Sequence, residues 1–124
     1  MNAVLEIEKI MGYIPTDVSA SKCGYDIESK IPDSLRTDDT HLLRFIEVKG
    51  RRKGADTITV SKNEILTALN KPDDFILAIV EVGSDINHVI YLKNPFRSAP
   101  DFTATSVNYN IKDLIKEAEI LYEI

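Results

Sequence analysis

The sequence predicts a mixed α/β fold (α/β or α+β), in which a β-sheet is flanked by helices. Apolar residues recur at helical spacing over residues 3–12, alternate with charged residues over 44–49, and run almost unbroken over 75–82. These patterns are typical of an amphipathic helix, a strand with two different faces, and a central strand covered on both faces. The order predicted along the chain is helix, two or three strands, helix, two strands, helix.

Local signals place the individual elements. Gly12 ends the first helix, and residues 13–22 form a polar connection to a strand at 24–29. Pro32 has no backbone N–H to give to a sheet, so it closes this strand and opens a polar loop. Further strands are expected at 41–50, 57–60, 75–82 and 88–92, helices at 61–70 and 111–118, and an irregular segment at 96–106.

The composition describes one domain over residues 1–124, without repeats, linkers or low-complexity segments. The formal net charge is −5, which argues against binding to nucleic acids through overall basicity. No apolar run is long enough to span a bilayer, and the single Cys23 excludes an internal disulfide and a cysteine-based zinc site. We therefore expect a cytoplasmic protein without a membrane partner.

The strand at 41–50 carries charged residues where a core strand is normally apolar. Because side chains alternate between the two faces of a strand, Glu47 and Lys49 project together. A buried carboxylate or ammonium is costly unless it is paired or binds an ion. If the preceding strand lies alongside, Asp26 joins them. Two carboxylates and a lysine suit a hard divalent cation such as Mg²⁺ or Mn²⁺, whose other usual ligands are water and phosphate oxygens.

Two pairs of carboxylates leave the choice of ligand open. Asp26 and Glu28 are two residues apart on one strand and share a face, so either side chain could hold the cation. Glu6 and Glu8 fall at opposite edges of the apolar face of the first helix, at about 100° per residue. Helix geometry therefore favours neither Glu6 nor Glu8 as a site residue.

Two further motifs each have a structural and a functional interpretation. Ser61 and Glu64 match a capping box, which by itself explains Glu64 as a helix cap. Arg51, Arg52 and Lys53 follow the charged strand directly. Such a run is usually a solvated rim, but beside a metal site it is also where a phosphodiester needs neutralising, and arginine suits bidentate phosphate contact. We expect Arg51 and Arg52 to contact a nucleic-acid backbone.

The chain resembles the domain family named after the C-terminal part of the plant protein NO VEIN, through the segments DVS (17–19), GYDIES (24–29), RFIEVKGR (44–51) and SKNE (61–64). The similarity runs over residues 8–95. An Asp followed at a distance by Glu-x-Lys on an apolar strand is also similar to the active-site signature of the PD-(D/E)xK nuclease superfamily. The resemblance implies a restriction-endonuclease-like fold with the core order α-β-β-β-α-β.

The same resemblance implies roles for individual residues. It implies a site for Mg²⁺ or Mn²⁺ with the ligands Asp26, Glu47, Glu8 and the carbonyl of Val48. It favours Glu8 over Glu6, because the family places a glutamate four residues before a glycine. Lys49 is implied to orient the attacking water. For Glu64 the resemblance implies a site role as the alternative to its helix cap, because the helix after the Glu-x-Lys strand often carries a Glu, Gln or Lys that faces the site.

The function implied is that of a metal-dependent DNA endonuclease. Members of the family often lie at the end of large helicase-like or defence-associated proteins, so the chain is expected to act as a domain or fragment of such a protein, with a helicase domain in cis or as a homodimer. An alternative is a catalytically inactive module that binds nucleic acid or a protein partner. In a third interpretation Asp26, Glu47 and Lys49 form a structural ion-pair cluster without any ligand.

Overall fold

The computed structural model describes residues 1–36, 42–83 and 88–124. Within these ranges the helices are α1 (Asn2–Ile10), α2 (Lys62–Asn70) and α3 (Ile111–Glu117). The strands are β1 (Ile14–Asp17), β2 (Ile27–Lys30), β3 (Leu43–Arg52), β4 (Thr57–Ser61), β5 (Phe75–Val82), β6 (His88–Lys93), β7 (Ser106–Asn110) and β8 (Glu119–Glu123). His41, the predicted start of a strand, and most of the predicted turn at 83–87 lie outside the described residues.

Six of these strands form one mixed sheet in the order β1-β2-β3-β5-β6-β8, and β4 pairs with β7 in a separate antiparallel ladder. β3 and β5 are parallel, whereas the other neighbours in the large sheet are antiparallel. A parallel pair requires a crossover connection, which β4 and α2 supply here. The predicted mixed α/β fold is confirmed. None of the helices in the described ranges is long and apolar enough to cross a membrane.

The large sheet is covered on both faces. On the α1 face, Val4 packs with Ile46 and other apolar residues of the central strands. On the α2 face, α2, α3 and the β4-β7 ladder enclose a second core that includes Ile58, Ile65 and Leu77. The first six residues of β5 are buried, as its continuous apolar run predicts.

The structure differs from the sequence expectations at the edges of the sheet. The sequence predicts a polar connection at 13–22 and an irregular segment at 96–106, but these contain β1 and the first residue of β7. β8 follows α3 directly. β1 and β8 are the two edge strands and are largely exposed, so they lack the apolar alternation that marks a half-buried strand. Their pairing with β2 and β6 defines them. β3 also continues past Gly50 to Arg52.

Candidate active site

The charged residues of β3 lie on the α2 face of the sheet. Ile46 is buried in the core under α1, so its neighbour Glu47 points the other way, paired in register with Leu77 of the α2-face core. Lys49 is two residues further on and shares this face. The shared orientation predicted for Glu47 and Lys49 is what β3 adopts.

Asp26 lies directly beside Glu47. It immediately precedes β2, and the pairing of Ile27 with Ile46 places it opposite Glu47 when the ladder is extended by one residue. Its backbone N–H donates to the carbonyl of Ile46 at 2.9 Å, and its Oδ2 accepts the backbone N–H of Val48, also at 2.9 Å. The side chain of Asp26 is therefore held against the backbone of the strand that carries Glu47.

Gly24 brings the chain to Asp26 across the surface of α2. Its φ is +93°, in the left-handed region that glycine tolerates best. A Cβ at this position would lie 2.3 Å from Oγ1 of Thr67, so any larger residue would push the segment away from the helix. The ring of the next residue, Tyr25, packs on the ring of Phe45, with 4.9 Å between the ring centroids. The close packing of Gly24 and Tyr25 thus holds Asp26 at the place where β2, β3 and α2 meet.

Glu64 joins the cluster from the first turn of α2. The predicted capping box is present: Oγ of Ser61 accepts the backbone N–H of Glu64 at 3.1 Å, and Oε1 of Glu64 accepts the backbone N–H of Ser61 at 2.8 Å. The same Oε1 also accepts Nζ of Lys49 at 2.9 Å. The cap and the contact with the cluster, which the sequence presents as competing interpretations of Glu64, are both realised in one carboxylate.

The cluster holds more carboxylate than Lys49 can compensate. Glu47 is 2% exposed, its Oε2 has no hydrogen-bond partner, and Nζ of Lys49 lies 3.8 Å from that oxygen. Burial, followed by the contacts with Glu64 and Asp26, raises the pKa of Glu47 to about 11. Burial alone would raise the pKa of Glu64 as well, but its contacts with Glu47, Ser61 and Lys49 outweigh this and lower it to about 2. Without a cation, Glu47 therefore takes up a proton.

This proton makes the stability of the metal-free protein depend on pH. Because folding raises the pKa of Glu47 from 4.5, its contribution to stability is complete below 4.5 and is lost as pH rises towards 11. Glu47→Gln, which is neutral at every pH, should flatten the fall in melting temperature between about pH 5 and pH 8. Thermal denaturation in EDTA checks this, and parallel profiles for the two proteins would contradict it. The lowered pKa of Glu64 acts only below its ordinary value of 4.5, outside this window.

A cleft opens onto these side chains. It has a volume of about 200 Å³, and Asp26, Glu47 and Glu64 line it together with Ser61 and Asn63 of the α2 N-terminus. Asp26 and Glu64 are partly exposed to solvent on the α2 side, whereas Glu47 is buried.

The two arginines at the end of β3 point in different directions. Arg51 is an odd-numbered residue of the strand and shares the face of Glu47 and Lys49, whereas Arg52 alternates to the α1 face and is exposed. Nε of Arg51 is buried without a hydrogen-bond partner. Arg51 and Arg52 were both predicted to contact a nucleic-acid backbone. Of the two, only Arg51 lies on the same face of the sheet as the acidic cluster.

Glu8 is not brought to this cluster. It is fully buried on the α1 face, where Oε1 accepts Nε of Arg44 at 2.9 Å, Oε2 accepts Nη2 of Arg44 at 3.3 Å, and Tyr91 donates its hydroxyl to Oε2 at 2.9 Å. The sheet separates this pair from Glu47. Sequence reasoning missed Arg44 and Tyr91 as partners of Glu8; an arginine on the apolar face of β3 was the available signal.

A comparison of the sequence with protein-family models identifies the family of this chain. The family model described as "Protein NO VEIN, C-terminal" matches residues 1–92. The chain belongs to this family. The match includes all of the residues discussed in this cluster and ends within β6, so that β7, α3 and β8 lie outside it. The comparison with curated proteins gave no significant match.

Asp26 and Glu47 are the candidate ligands for a Mg²⁺ or Mn²⁺ ion in this NO VEIN C-terminal family member. The described residues contain no group of three or more His, Cys, Asp and Glu side chains arranged to enclose a metal. Mg²⁺ seldom needs such an enclosure, because one or two carboxylates commonly hold it together with waters and substrate phosphates. Asp26 and Glu47 are two adjacent carboxylates, and the orphaned Oε2 of Glu47 is a buried acceptor without a partner. These residues fit the ion that the sequence pattern predicts.

Proposed function

We propose that this chain is a metal-dependent phosphodiesterase acting on DNA, of the PD-(D/E)xK type. The observation that carries the proposal is a cleft lined by Asp26 and Glu47, in which the buried Oε2 of Glu47 has no hydrogen-bond partner among the described residues and lies 3.8 Å from Nζ of Lys49. A structural ion-pair cluster explains this oxygen poorly, because Nζ of Lys49 donates to Oε1 of Glu64 at 2.9 Å and lies 3.8 Å from Oε2 of Glu47. A divalent cation at Asp26 and Glu47 would satisfy it.

Each residue of the cluster has a task in this reaction. Asp26 and Glu47 would hold the ion with the carbonyl of Val48, and the bound ion would lower the pKa of a water and offset charge on the phosphate. Lys49 would donate a hydrogen bond to the attacking water and stabilise the negative charge that develops on the phosphoryl oxygens. Arg51, on the same face, would neutralise a neighbouring phosphate.

Glu64 would act as a positioning residue. Its capping bonds to the backbone of Ser61 fix its carboxylate, and this carboxylate fixes Nζ of Lys49 at 2.9 Å. The position of Nζ of Lys49 is therefore set by a carboxylate that is itself bonded to the N-terminus of α2. Glu8 has no part in the proposal, because Arg44 and Tyr91 already satisfy it on the α1 face.

The proposal predicts cleavage that depends on a divalent cation. Supercoiled plasmid and end-labelled single-stranded DNA should be cut in Mg²⁺ or Mn²⁺ and left intact in EDTA, and both Asp26→Asn and Glu47→Gln should abolish cutting. Asp73→Asn, which removes an exposed carboxylate from a turn, is the matched control and should keep wild-type activity.

Thermal denaturation separates the alternatives. The cation should raise the melting temperature of the wild type, since a ligand that binds only the folded state stabilises it. Absence of cutting together with absence of this shift would overturn the nuclease proposal in favour of an inactive binding module. A cation-induced shift without cutting would retain the metal site and remove the reaction.

A further inference from the structure

Lys22 lines the cleft that opens onto Asp26 and Glu47. The other charged residues that line the cleft are all acidic, namely Asp26, Glu47 and Glu64. Lys22 is exposed and forms no ion pair with any residue in the described part of the chain. Lys49, by contrast, is already bonded to Glu64 at 2.9 Å. The cleft therefore has one exposed cation whose charge no described side chain uses.

A 3₁₀ turn of three residues that starts at Ser19 leads into Lys22 and fixes its place. Oδ1 of Asp17 accepts both the backbone N–H of Ser19 at 2.9 Å and the hydroxyl of Ser19 at 2.6 Å, which closes the turn at its start. The backbone N–H of Val18 donates to the carbonyl of Asp26 at 2.8 Å. The turn that carries Lys22 is thereby bonded to the residue proposed as a metal ligand.

Lys22 ends this turn in a left-handed conformation, with φ +52° and ψ +42°. Residues with a side chain seldom adopt this conformation, which glycine or asparagine takes at a lower cost in free energy. The backbone of the turn therefore gains nothing from a lysine at this position. The property of Lys22 that the neighbouring cleft can use is its charge.

The charges around the cleft indicate what this lysine could bind. When Asp26, Glu47 and Glu64 are all ionised, their charge is balanced by Lys49 together with one divalent cation. A phosphodiester brings one more negative charge into the same space, and repulsion between like charges is stronger there than in bulk water. The positive charge of Lys22 balances this additional negative charge.

The size of the cleft limits what can enter it. Its volume of about 200 Å³ is below the roughly 300–1,000 Å³ of pockets that enclose a drug-sized ligand. A phosphate group with a cation and a few waters, at about 30 Å³ for each water, fits this volume. A nucleoside together with them does not. The cleft can therefore contact the backbone of a nucleic acid but cannot enclose a base.

We propose that Lys22 binds the phosphodiester that enters the cleft, and that this cleft recognises the DNA backbone without reading a base. The inference rests on the proposed function and names its substrate class: DNA of any sequence, held through one phosphate between Lys22 and the cation at Asp26 and Glu47. Lysine binds phosphate as a point charge on a flexible side chain, so an exposed lysine can reach the phosphate from the solvent side.

The salt dependence of binding tests this contact. Fluorescence anisotropy is measured in Ca²⁺, which also takes oxygen ligands, with labelled single strands and duplexes of three unrelated sequences. Lys22→Gln should weaken binding about fivefold at low salt, as expected for one exposed charge contact, and equally for the three sequences. The slope of log affinity against log salt concentration should become shallower by about 0.9 for the duplexes and about 0.7 for the single strands, the values for one phosphate. Lys22→Arg should keep the wild-type affinity and slope.

Lys9→Gln is the matched control, because Lys9 is an exposed lysine on α1, across the sheet from the cleft. It should change neither affinity nor slope. A purely structural role of Lys22 in its turn would leave the salt slope unchanged. The proposal is overturned if Lys22→Gln keeps the wild-type slope, if its loss of affinity depends on the sequence, or if the wild type binds neither form of DNA.

Cleavage is measured separately from binding. Lys22→Gln should raise KM by a factor similar to its loss of affinity and change kcat by no more than about twofold, because the contact with the phosphate is the same in the ground state and the transition state. A fall in kcat at unchanged KM would contradict this role. Absence of cleavage by the wild type, with the salt effect present, would remove the nuclease reaction and retain the phosphate contact.

Discussion

Lys49→Met should slow metal-dependent DNA cleavage by about 10²–10³-fold, the usual effect of removing one group that stabilises a transition state. The reason is geometric: Nζ of Lys49 lies 2.9 Å from Glu64 and 3.8 Å from Glu47, beside the carboxylates proposed to bind the cation. Methionine keeps the length of the side chain and removes its charge. The rate of plasmid nicking at saturating Mg²⁺ or Mn²⁺ measures the loss.

Two further measurements, of melting temperature and of the cleavage rate of a control variant, separate an effect on catalysis from effects on binding and folding. The Mn²⁺-induced rise in melting temperature should persist in Lys49→Met, because Asp26 and Glu47 remain. Lys53→Met is the matched control; Lys53 is exposed just beyond β3, and its loss should change the rate by no more than about twofold, since exposed charges contribute little. Equal losses in the two variants would show that general charge, not the position of Lys49, is responsible.

Glu8→Ala should destabilise the fold by about 3–5 kcal/mol, the typical cost of removing one partner of a buried ion pair. Arg44 would lose both of its bonds to Glu8 and remain largely buried, at 17% side-chain exposure, and the hydroxyl of Tyr91 would lose its acceptor. The ring of Tyr13, 4.5 Å from the Arg44 guanidinium, cannot replace a carboxylate. For a chain of this size the loss corresponds to a fall in melting temperature of roughly 10–20 °C.

Glu6→Ala is the natural control, since Glu6 is two residues away on α1 and makes only an exposed pair with Lys9 at 3.7 Å. It should alter stability by less than about 0.5 kcal/mol. Glu8→Gln tests the metal role implied by the family resemblance. If Glu8 only anchors α1 to the sheet, this variant should be less stable but keep its cation-induced shift in melting temperature. Loss of the shift at unchanged stability would restore Glu8 as a metal ligand.

The central part of the site could be predicted because it depends on local rules. Alternation along β3 is enough to place Glu47 and Lys49 on one side of a strand. The adjacency of Asp26 needed one further assumption, that β2 and β3 are neighbours, and the antiparallel register satisfies it. The capping box of α2 is equally local, because Ser61 and Glu64 are three residues apart.

Other features depend on residues far apart in the chain. Helical periodicity could not predict the environment of Glu8, because its partners Arg44 and Tyr91 are 36 and 83 residues away in the chain. The contact between Glu64 and Lys49 forms only because α2 packs against the sheet beside β3. The edge strands β1 and β8 have little apolar alternation, and their pairing with β2 and β6 defines them.

The sequence by itself determined the mixed α/β class, the core strands and the common orientation of Glu47 and Lys49, because these follow from periodicities of two and 3.6 residues. Only the tertiary structure decided that Asp26 and Glu64 converge on that pair and that Glu8 is held away from it. These placements depend on the parallel crossover from β3 to β5 and on the position of α2 against the sheet. Contacts between residues far apart in the chain determine both, so local sequence patterns do not predict them.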